Sequence, residues 1–263
     1  MYFNKKIVWI TGASSGIGEA TAFAMIDQGA EIIASAPFVE ELEISKSKAP
    51  IPDKFHIYQL DLLKSETIET VVKNVIETFG RIDILLNNAG ISQRSLVLDT
   101  PIENDRKVME INYFGAVTLT KLVLPLMIKQ GGGHILCTSS MVGVFGFPLR
   151  SAYSAAKHAM HGFFESLRTE YYKQNIKVSI IIGGRINTQI SIHAITSDGS
   201  EYGQMDEGQK KGITPQKAAK QIIRGIRRNK HEIWIGSAEL LMIIFKRWFP
   251  KLNFLIAKII NPK

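Results

Sequence analysis

The stretch "KIVWITGASSGIGEA" (residues 6–20) decides the fold, because an apolar run ends in a glycine-rich turn and passes directly into a helical pattern. Gly12 permits a tight turn, Gly16 lets the backbone approach a ligand, and Gly18 lets the helix pack closely on the sheet. Free N–H groups at the start of such a helix are suited to bind a pyrophosphate. The glycines are spaced G-x-x-x-G-x-G, and their position after a first strand indicates a dinucleotide site.

Strand-like and helical patterns alternate along the rest of the chain. The candidate strands are short apolar runs, at 6–10, 31–35, 55–60, 82–87, 134–139, 177–182 and 232–236. The candidate helices lie between them, near 17–28, 65–79, 102–129, 151–174 and 215–229. Apolar strands separated by helices predict a doubly wound α/β fold, a Rossmann-like parallel sheet with helices on both faces. We expect about seven strands in one dinucleotide-binding domain over residues 1–263.

The composition is that of an ordinary soluble protein, with 45% hydrophobic and 21% charged residues in a chain of 263. Cys137 is the one cysteine, so no intramolecular disulfide can form and nothing indicates an oxidising compartment. The first residues lack the apolar core of a signal peptide, and no uninterrupted run of about 18 apolar residues is present. We therefore expect a cytoplasmic protein without a spanning helix.

Positive charge is concentrated towards the C-terminus. The net charge is +8, and residues 217–263 hold 11 Lys and Arg against 2 Asp and Glu, so they carry +9 and the preceding residues carry −1. A basic segment can meet nucleic acid, anionic lipid or an acidic partner, or it can be solvated surface. Because the residues before 217 have no basic excess, we expect no nucleic-acid partner.

A phenol and an ammonium are spaced one helical turn apart in "YSAAKHAMHGF" (153–163). Positions i and i+4 share a helix face, so Tyr153 and Lys157 are predicted to point to one place. Such a pair also occurs on solvated helix faces, and these residues alone leave both interpretations open.

Five features occur in order along the chain: "TGASSGIG" (11–18), "NNAG" (87–90), Asn112 in "INYFG", "SS" (139–140) and "YSAAK" (153–157). This combination resembles the classical short-chain dehydrogenase/reductase family over nearly the whole chain. Ser140 stands 13 residues before Tyr153, which is the spacing usual in that family. The stretch "AITSDGSEYGQMD" (194–206) and the basic apolar C-terminal segment are similar to the subgroup related to 11-beta-hydroxysteroid dehydrogenases.

The resemblance implies an oxidoreductase that transfers a hydride between NAD(P)(H) and a secondary alcohol or ketone. It implies that Tyr153 is the general acid/base and that Ser140 holds the substrate oxygen. Lys157 is expected to lower the pKa of the phenol and to bind ribose hydroxyls, and Asn112 to hold a water that links Lys157 to solvent. Taken singly, Ser140 could be a turn hydroxyl and Asn112 a polar residue inside a helix. A catalytically silent cofactor-binding or scaffold protein is the alternative, and the presence of both Tyr153 and Lys157 argues against it.

The residues expected to bind the cofactor follow from the same resemblance. They are Gly12, Ser14, Ser15, Gly16, Ile17, Gly18, Asp61, Leu62, Asn88, Ala89, Gly90, Tyr153, Lys157, Ile186 and Thr188. Asp61 matches the aspartate that bonds the adenine amino group, although a strand-end aspartate is also a common helix cap. Asn87 is expected to bond backbone and steady the sheet. No metal is expected at the site.

Two departures from the family pattern bear on this site. After the second strand, NADP-dependent relatives have an arginine and NAD-dependent ones an aspartate, whereas Ala-Pro stands here at 36–37. We favour NADP(H) over NAD(H), because no carboxylate repels a 2′-phosphate and the hydroxyls of Ser15 and Ser35 can meet it. The usual Pro-Gly after the sixth strand is Gly-Gly at 183–184, which is expected to loosen that turn by about 0.4–1 kcal/mol.

The segment 189–213 is long and polar, and it follows the sixth strand, where ligands bind in open α/β sheets. It is expected to be a substrate lid, with a disordered surface loop as the alternative. The substrate walls are expected to suit a small apolar ketone or alcohol, steroid- or lipid-like. Their candidate residues are Ile91, Leu96, Met141, Val142, Phe145, Phe147 and Ile192.

Two partner surfaces are expected. The family commonly forms homodimers or homotetramers through the helices near 102–129 and 151–174. The large apolar residues of these helices are Leu119, Leu122, Leu126, Phe163, Phe164 and Leu167. The segment 237–263 mixes apolar residues with cations, and Pro250 is predicted to separate two short helices in it. This segment either packs over the cleft or a neighbouring subunit, or makes peripheral membrane contact.

Overall fold

The computed structural model describes residues 1–251 and 254–255. Its centre is a parallel sheet with the strands β1 Ile7–Thr11, β2 Glu31–Ser35, β3 Phe55–Ile57, β4 Ile84–Asn87, β5 Gly133–Ser140, β6 Ile176–Gly183 and β7 Glu232–Ile235. The strands lie in the order β3-β2-β1-β4-β5-β6-β7, and every neighbouring pair is parallel. The doubly wound sheet predicted from the sequence is therefore confirmed.

The strand order changes direction at β1, with β2 and β3 on one side and β4 to β7 on the other. At such a switch point the connections run to opposite faces of the sheet and leave a crevice beyond the carboxyl ends of the strands. Ile10 pairs with Leu86 across this point. The turns that follow Thr11 and Asn87 therefore open at the same edge of the sheet.

Helices cover both faces of the sheet. In the described residues they are α1 Gly16–Ile26, α2 Val39–Lys48, α3 Ser65–Phe79, α4 Ile102–Met109, α5 Gly115–Lys129, α6 Ser151–Glu170, α7 Glu207–Lys210, α8 Pro215–Arg227 and α9 Leu241–Trp248. The sequence did not predict α2, because Leu42 and Ser45 are its buried residues and the helix has no apolar face. The helix predicted over 102–129 is divided by a π-helical segment, Glu110–Phe114.

The strands are buried on both faces because successive positions are apolar. In β1, Val8 and Ile10 enter the core that contains residues of α1, α2 and α8. Trp9, between them, enters the core that contains residues of α3, α5 and α6. These two layers hold the ends of the strands, and thus the loops beyond them, in fixed positions.

The segment expected to be a lid packs on the loop that follows β4. The backbone N–H of Arg94 donates to the carbonyl of Ile195 at 2.7 Å, and the N–H of Ile195 donates to the carbonyl of Ser92 at 3.0 Å. Ile195 also forms an antiparallel bridge with Glu201. Ala194 and Ile195 are buried. The segment thus has its own turn structure, and α7 lies within it.

The stretch Ile102–Lys129 is apolar and long enough to span a membrane by length and composition, with a mean hydropathy of 1.5 in its most apolar window. Half of that window is buried inside the domain, as in the core helices of soluble proteins. Leu119 and Met127 from this stretch pack in the core against the sheet. Its apolar character is therefore explained by packing.

The C-terminal helix α9 ends before Phe249 and Pro250, as the proline predicted. The second helix predicted in this segment lies largely outside the described residues. The ammonium of Lys246 donates to the carbonyl of Val144, and Ile243 packs against the core that holds Trp9. The first turns of the C-terminal segment are thereby held against the loop that follows β5.

Candidate active site

The glycine-rich turn joins β1 to α1. Gly12 and Gly16 have φ angles of 64° and 59°, a region that residues with a Cβ rarely adopt. Gly18 is required for a different reason, because a Cβ there would lie 2.1 Å from the carbonyl oxygen of Gly12. Ser15 is the N-cap residue of α1, and its side chain makes no capping hydrogen bond. The first N–H groups of α1 are therefore left for a ligand, and this arrangement fits the pyrophosphate of a dinucleotide.

A cleft of about 530 Å³ opens at the switch point of the sheet. The predicted site residues that line it are Gly12, Ser15, Gly16, Ile17, Asn88, Ala89, Gly90, Ser140, Tyr153, Lys157, Ile186 and Thr188. Among the described residues, the lining does not include Ser14, Gly18, Asp61, Leu62 and Asn112. The loops after β1, β4, β5 and β6 thus bring most of the predicted residues to one cavity.

Tyr153 and Lys157 both lie on α6 and both face this cleft. The ammonium of Lys157 lies 5.5 Å from the centre of the Tyr153 ring and donates to the carbonyl of Thr138 at 2.7 Å. Lys157 is only 3% exposed, and burial lowers its pKa to about 8. The solvated-face interpretation of this pair is therefore wrong, because the ammonium is buried.

The environment of the phenol acts on its pKa in both directions. Withdrawal from water raises the pKa of Tyr153, while the charge of Arg150 and the hydroxyl of Ser140 act to lower it. Arg150 immediately precedes α6 and was not singled out from the sequence. The cation that acts to lower the pKa of the phenol is thus Arg150, and the lowering that the resemblance implied for Lys157 is not among the causes.

Ser140 ends β5 and lies beside Tyr153. Its Oγ donates to the carbonyl of Gly183 at 3.3 Å and accepts from the N–H of Val142 at 3.4 Å. The turn-capping interpretation of Ser140 is therefore correct as far as it goes. Both bonds are long, so the hydroxyl can exchange them for a better partner in the cleft.

Asn112 lies in the π-helical segment between α4 and α5, a form that often occurs at functional sites. Its Nδ2 donates to the carbonyls of Ile91 and Val108, at 3.0 and 2.9 Å. Its Oδ1 is buried and has no hydrogen-bond partner within residues 1–251 and 254–255. A Cβ at Gly90 would lie 2.3 Å from this oxygen and 3.4 Å from the ammonium of Lys157. Glycine at position 90 therefore keeps an acceptor and a cation close together, which leaves a place for a polar ligand or a water.

The other predicted residues after β4 have structural contacts. Asn88 donates to the carbonyls of Thr11 and Gly12 at 3.1 and 3.2 Å and accepts from the hydroxyl of Thr138 at 3.1 Å. Asn88 thus joins the ends of β1, β4 and β5. The side chain of Asn87 donates to the hydroxyl of Thr120 on α5 at 3.0 Å, so its predicted bond to backbone is wrong.

The residues expected at the adenine end of the cofactor make contacts within the protein. Asp61 accepts from the N–H of Leu63 at 3.0 Å, which is a turn bond, and the N-cap of α3 is Lys64, so Asp61 is not the helix cap weighed from the sequence. Leu62 is buried, and a Cβ at Gly115 would lie 2.6 Å from it. The hydroxyl of Ser35 is buried and accepts from the indole of Trp9 at 2.9 Å. Ser35 is therefore not available to a phosphate, contrary to the sequence interpretation.

The loop after β6 carries the remaining cofactor residues. Ile186 forms a bridge with Ile213, and the methyl group of Thr188 lies 3.2 Å from the place of a Cβ at Gly16. The carboxylate of Glu239 accepts from the N–H groups of Arg185 and Ser237, at 2.8 and 3.0 Å.

Glycine at position 184 is explained by this carboxylate, whereas a Cβ at Gly183 would make only ordinary contacts, the nearest at 3.4 Å. A Cβ at Gly184 would lie 2.3 Å from Oε1 of Glu239. Glycine at 184 thus gives the carboxylate room, and the carboxylate then ties the turn to the C-terminal segment. This tie opposes the loosening that the sequence suggested for the turn.

The substrate end of the cleft is partly as predicted. Ile91, Met141, Val142 and Phe147 line it. Within the described chain Leu96, Phe145 and Ile192 are not part of the lining. Leu96 is exposed on the surface and Phe145 is buried in the interior, so apolar character alone did not distinguish wall from core.

A charged cluster at the substrate end was not predicted. Asp206, from the segment 189–213, accepts from the guanidinium groups of both Arg94 and Arg150. Arg150 and Asp206 line the cleft together with Tyr153. The two pairs are separated by 112 and 56 residues along the chain, so no local pattern could have revealed them.

The comparisons with known proteins agree with this geometry. A family described as short chain dehydrogenase matches residues 6–198. "Dehydrogenase/reductase SDR family protein 7-like" of Drosophila melanogaster is 42% identical over 257 residues, which cover 95% of this chain and 79% of the relative. "Dehydrogenase/reductase SDR family member 7B" of Xenopus laevis is 38% identical over 263 residues, which cover 97% and 81%. A crystal structure of a short-chain dehydrogenase from Streptomyces avermitilis has a TM-score of 0.81 and 27% identity over 96% of each chain.

Relatives of this similarity, spanning nearly the whole chain, establish the family that the sequence motifs indicated. They also agree with the narrower resemblance to the subgroup related to 11-beta-hydroxysteroid dehydrogenases. The glycine-rich turn, with its open N–H groups, fits the nicotinamide dinucleotide that this family uses. The chain belongs to the short-chain dehydrogenase family and is an oxidoreductase that acts on CH–OH groups with NAD(P).

Proposed function

We propose that this enzyme interconverts apolar ketones and secondary alcohols, with NADP(H) as the preferred cofactor. The observation that carries the proposal is the buried ammonium of Lys157, which lies 5.5 Å from the Tyr153 ring in a cleft that also holds the glycine-rich turn. Burial of an ammonium is unfavourable, so a protein that used this position neither to bind a cofactor nor to move a proton would gain from an apolar residue there.

Tyr153 moves the proton in this reaction. In the reducing direction its Oη donates to the carbonyl oxygen of the substrate, and in the oxidising direction the phenolate accepts the proton of the alcohol. Bound NAD(P)H or NAD(P)⁺ supplies or accepts the hydride. Ser140, whose present bonds are 3.3 and 3.4 Å long, turns its hydroxyl to the same substrate oxygen and fixes its place.

Lys157 and Asn112 support the reaction by holding the cofactor ribose and a water. The ammonium keeps one donor on Thr138 and has two others for ribose hydroxyls and for a water. The buried Oδ1 of Asn112, beside this ammonium, is suited to hold that water. Since the pKa of Lys157 is about 8, the side chain can pass a proton between the water and the site near neutral pH.

The test is a panel of apolar ketones and alcohols, with NADPH and NADH in parallel, followed by the absorbance of the reduced cofactor. We expect turnover of several apolar ketones by the full chain. Tyr153→Phe serves as the control for contaminating activity. Equal turnover by this variant, or none by the wild type on any carbonyl or alcohol, would contradict the proposed chemistry.

The cofactor preference is proposed to be modest. No arginine is present at 36–37 to grip a 2′-phosphate, and Glu41 accepts from the hydroxyl of Ser14 at 2.9 Å beside the glycine-rich turn. This carboxylate would repel a phosphate and limit the preference for NADP(H). We expect Pro37→Arg and Glu41→Gln each to strengthen NADPH binding without changing NADH binding. Tighter binding of NADH by the wild type would reverse the assignment.

A homodimer or homotetramer through α5 and α6 is also proposed, with a changed set of contacts. Leu119, Phe164 and Leu167 are buried against the sheet, so they cannot form the interface assumed from the sequence. Phe114 is 48% exposed at the start of α5 and is a better candidate. We expect Phe114→Asp to dissociate the oligomer in sedimentation, whereas Leu98→Asp, outside these helices, leaves it intact. A 29.3 kDa species alone in the wild type would exclude the pairing.

We propose that α9 brings an otherwise cytoplasmic enzyme into peripheral contact with anionic membranes. Phe245 and Trp248 are exposed on this helix, while Met242 lines the cleft, so both the packed and the membrane interpretation find support. Exposed aromatic residues among cations suit an interfacial position. We expect the full chain to float with anionic liposomes and the double variant Phe245→Gln, Trp248→Gln to remain soluble. Ile44→Gln, which changes an exposed apolar residue on α2, is the control, and soluble wild type would exclude the idea.

A further inference from the structure

We propose that the substrate end of the cleft recognises an anionic group, so that the preferred substrate is an apolar ketone or alcohol that also carries a carboxylate or phosphate. This inference rests on the proposed function and specifies its substrate further. It is based on the cation cluster, defined as Arg94, Arg150 and their shared partner Asp206.

The cation cluster has two positive charges and one negative charge. Arg94 donates to Oδ1 of Asp206, and Arg150 donates to Oδ2, so the carboxylate has one arginine on each oxygen. The side chains of Arg94, Arg150 and Asp206 are only 3%, 16% and 10% exposed. An uncompensated positive charge this far from water is unfavourable, and a bound anion would balance it.

Arg94 also has unused hydrogen-bond donors. A guanidinium has five N–H groups. The Nε and Nη1 atoms of Arg94 are buried without a partner in the part of the chain that the structure describes. The charge of Arg94 lies 4.8 Å from the centre of the Tyr202 ring, which partly stabilises it. Arg150 is the member that lines the cleft, so it is the one that a ligand can reach.

Arg150 is placed so that a ligand with its anionic group on this side chain would have its reacting carbon near Tyr153. Arg150 stands three residues before Tyr153, at the start of α6, and its charge acts on the phenol. Its guanidinium lies 5.7 Å from the centre of the Phe147 ring, and Met141 and Val142 line the same end of the cleft. A ligand bound there would meet a cation and an apolar wall at once, with its carbonyl near Tyr153.

A latch for the lid would not need two arginines. Asp206 is tied to the lid by its own N–H, which donates to the hydroxyl of Ser191 at 3.1 Å, and one arginine would be enough to hold it to the domain. Burial lowers the pKa of Arg150, Asp206 opposes this, and the charge of Arg94 lowers it further. The second arginine is thus kept against repulsion from the first, and a bound anion would offset that repulsion.

The test measures binding to the full chain by isothermal titration calorimetry. The probes are decanoate, decyl phosphate and the neutral decan-1-ol. We expect at least one of the two anions to bind about tenfold or more tightly than the alcohol, because charge-assisted hydrogen bonds are the strong ones. The tighter of the two anions identifies carboxylate or phosphate as the recognised group. Equal binding of the alcohol and both anions would overturn the proposal.

Two variants with the same change of charge locate the site. Arg150→Gln is expected to lose the preference for anions, whereas Lys211→Gln, which also removes a cation from the cleft lining, is expected to keep it. An equal loss in both variants would mean a general effect of charge and would overturn the site. Should Arg150→Gln fail to fold, Arg150→Lys replaces it as a variant that retains the charge. The comparison of the two anions with the alcohol on the wild type then remains decisive.

Turnover distinguishes this inference from the proposed function. 4-Oxodecanoate is compared with its methyl ester, at equal chain length and with the same ketone. We expect a higher kcat/KM for the acid, and Arg150→Gln should remove most of the difference. Equal kcat/KM for acid and ester would overturn the anion site and leave the ketone reductase function intact. Anion binding without turnover of any ketone would support the site and contradict the substrate proposed for the reaction.

Discussion

Replacement of Lys157 by methionine is expected to abolish turnover and at the same time to stabilise the protein without cofactor. The ammonium is buried, and burial lowers its pKa from 10.5 to about 8. This difference corresponds to about 3 kcal/mol of destabilisation when the side chain is charged. Methionine has a similar length and no charge, but it leaves the carbonyl of Thr138 without this donor, which costs about 1 kcal/mol. The net gain at neutral pH is therefore about 2 kcal/mol.

The stability difference between the wild type and Lys157→Met is expected to depend on pH. The pKa of Lys157 is lower in the folded state, so the unfolded chain binds more protons between about pH 8 and pH 10.5 and stability rises with pH there. The destabilisation by Lys157 is fully present below about pH 8 and is lost as the pH rises towards 10.5. The advantage of Lys157→Met should thus be largest near pH 7 and should disappear by about pH 10.

The assay is urea unfolding of the wild type and of Lys157→Met, both without cofactor, at pH 7 and pH 10. Heating should show the same gain as a higher melting temperature, by about 4–8 °C at pH 7. Lys121→Met, an exposed lysine on α5, controls for the change in net charge and should leave stability nearly unchanged. A Lys157→Met protein that is less stable than the wild type at pH 7, or a difference that does not depend on pH, would refute the reasoning.

Three further predictions follow from the site. Tyr153→Phe should lower turnover by about 10²-fold or more while cofactor binding, measured by fluorescence titration, stays nearly intact. Gly18→Ala should abolish cofactor binding, because the new Cβ would lie 2.1 Å from the carbonyl oxygen of Gly12. Gly162→Ala is its control, since a Cβ there meets nothing within 4 Å, and it should be neutral or stabilising in thermal unfolding. Arg150→Gln should move the pH profile of alcohol oxidation to higher pH, because the charge of Arg150 acts to lower the pKa of the Tyr153 phenol. An unchanged profile would mean that Arg150 does not act on the phenol.

The elements with strong local signals were predictable from the sequence. The glycine-rich turn was predicted because φ angles near 60° at Gly12 and Gly16 exclude most other residues. The Tyr153–Lys157 pair was predicted because spacing along a helix determines which side chains share a face. The strands were predicted because a sheet covered on both sides needs apolar residues at successive positions.

The elements with weak local signals were missed or misplaced. Seven of the ten residues of helix α2 are polar, so its existence depends on its place over the sheet and not on an apolar face. The sequence could not show that Leu119 and Phe164 face the sheet, or that Ser35 is occupied by Trp9. Each of these depends on the direction of a side chain relative to a distant element, which hydrophobicity does not encode.

The sequence by itself determined the family and the catalytic candidates, through five motifs in order between residues 11 and 157, and the parallel sheet, through local patterns whose geometry follows from backbone sterics. Tertiary structure alone decided which charges meet. Asp206 lies 112 residues from Arg94 and 56 from Arg150, and the fold of the segment 189–213 brings them together at the cleft. The carboxylate of Glu239 likewise reaches the turn at 183–184 only because β6 and β7 are neighbours in the sheet. Long-range pairs of this kind are fixed by packing, which gives a short stretch of sequence no sign of its partner.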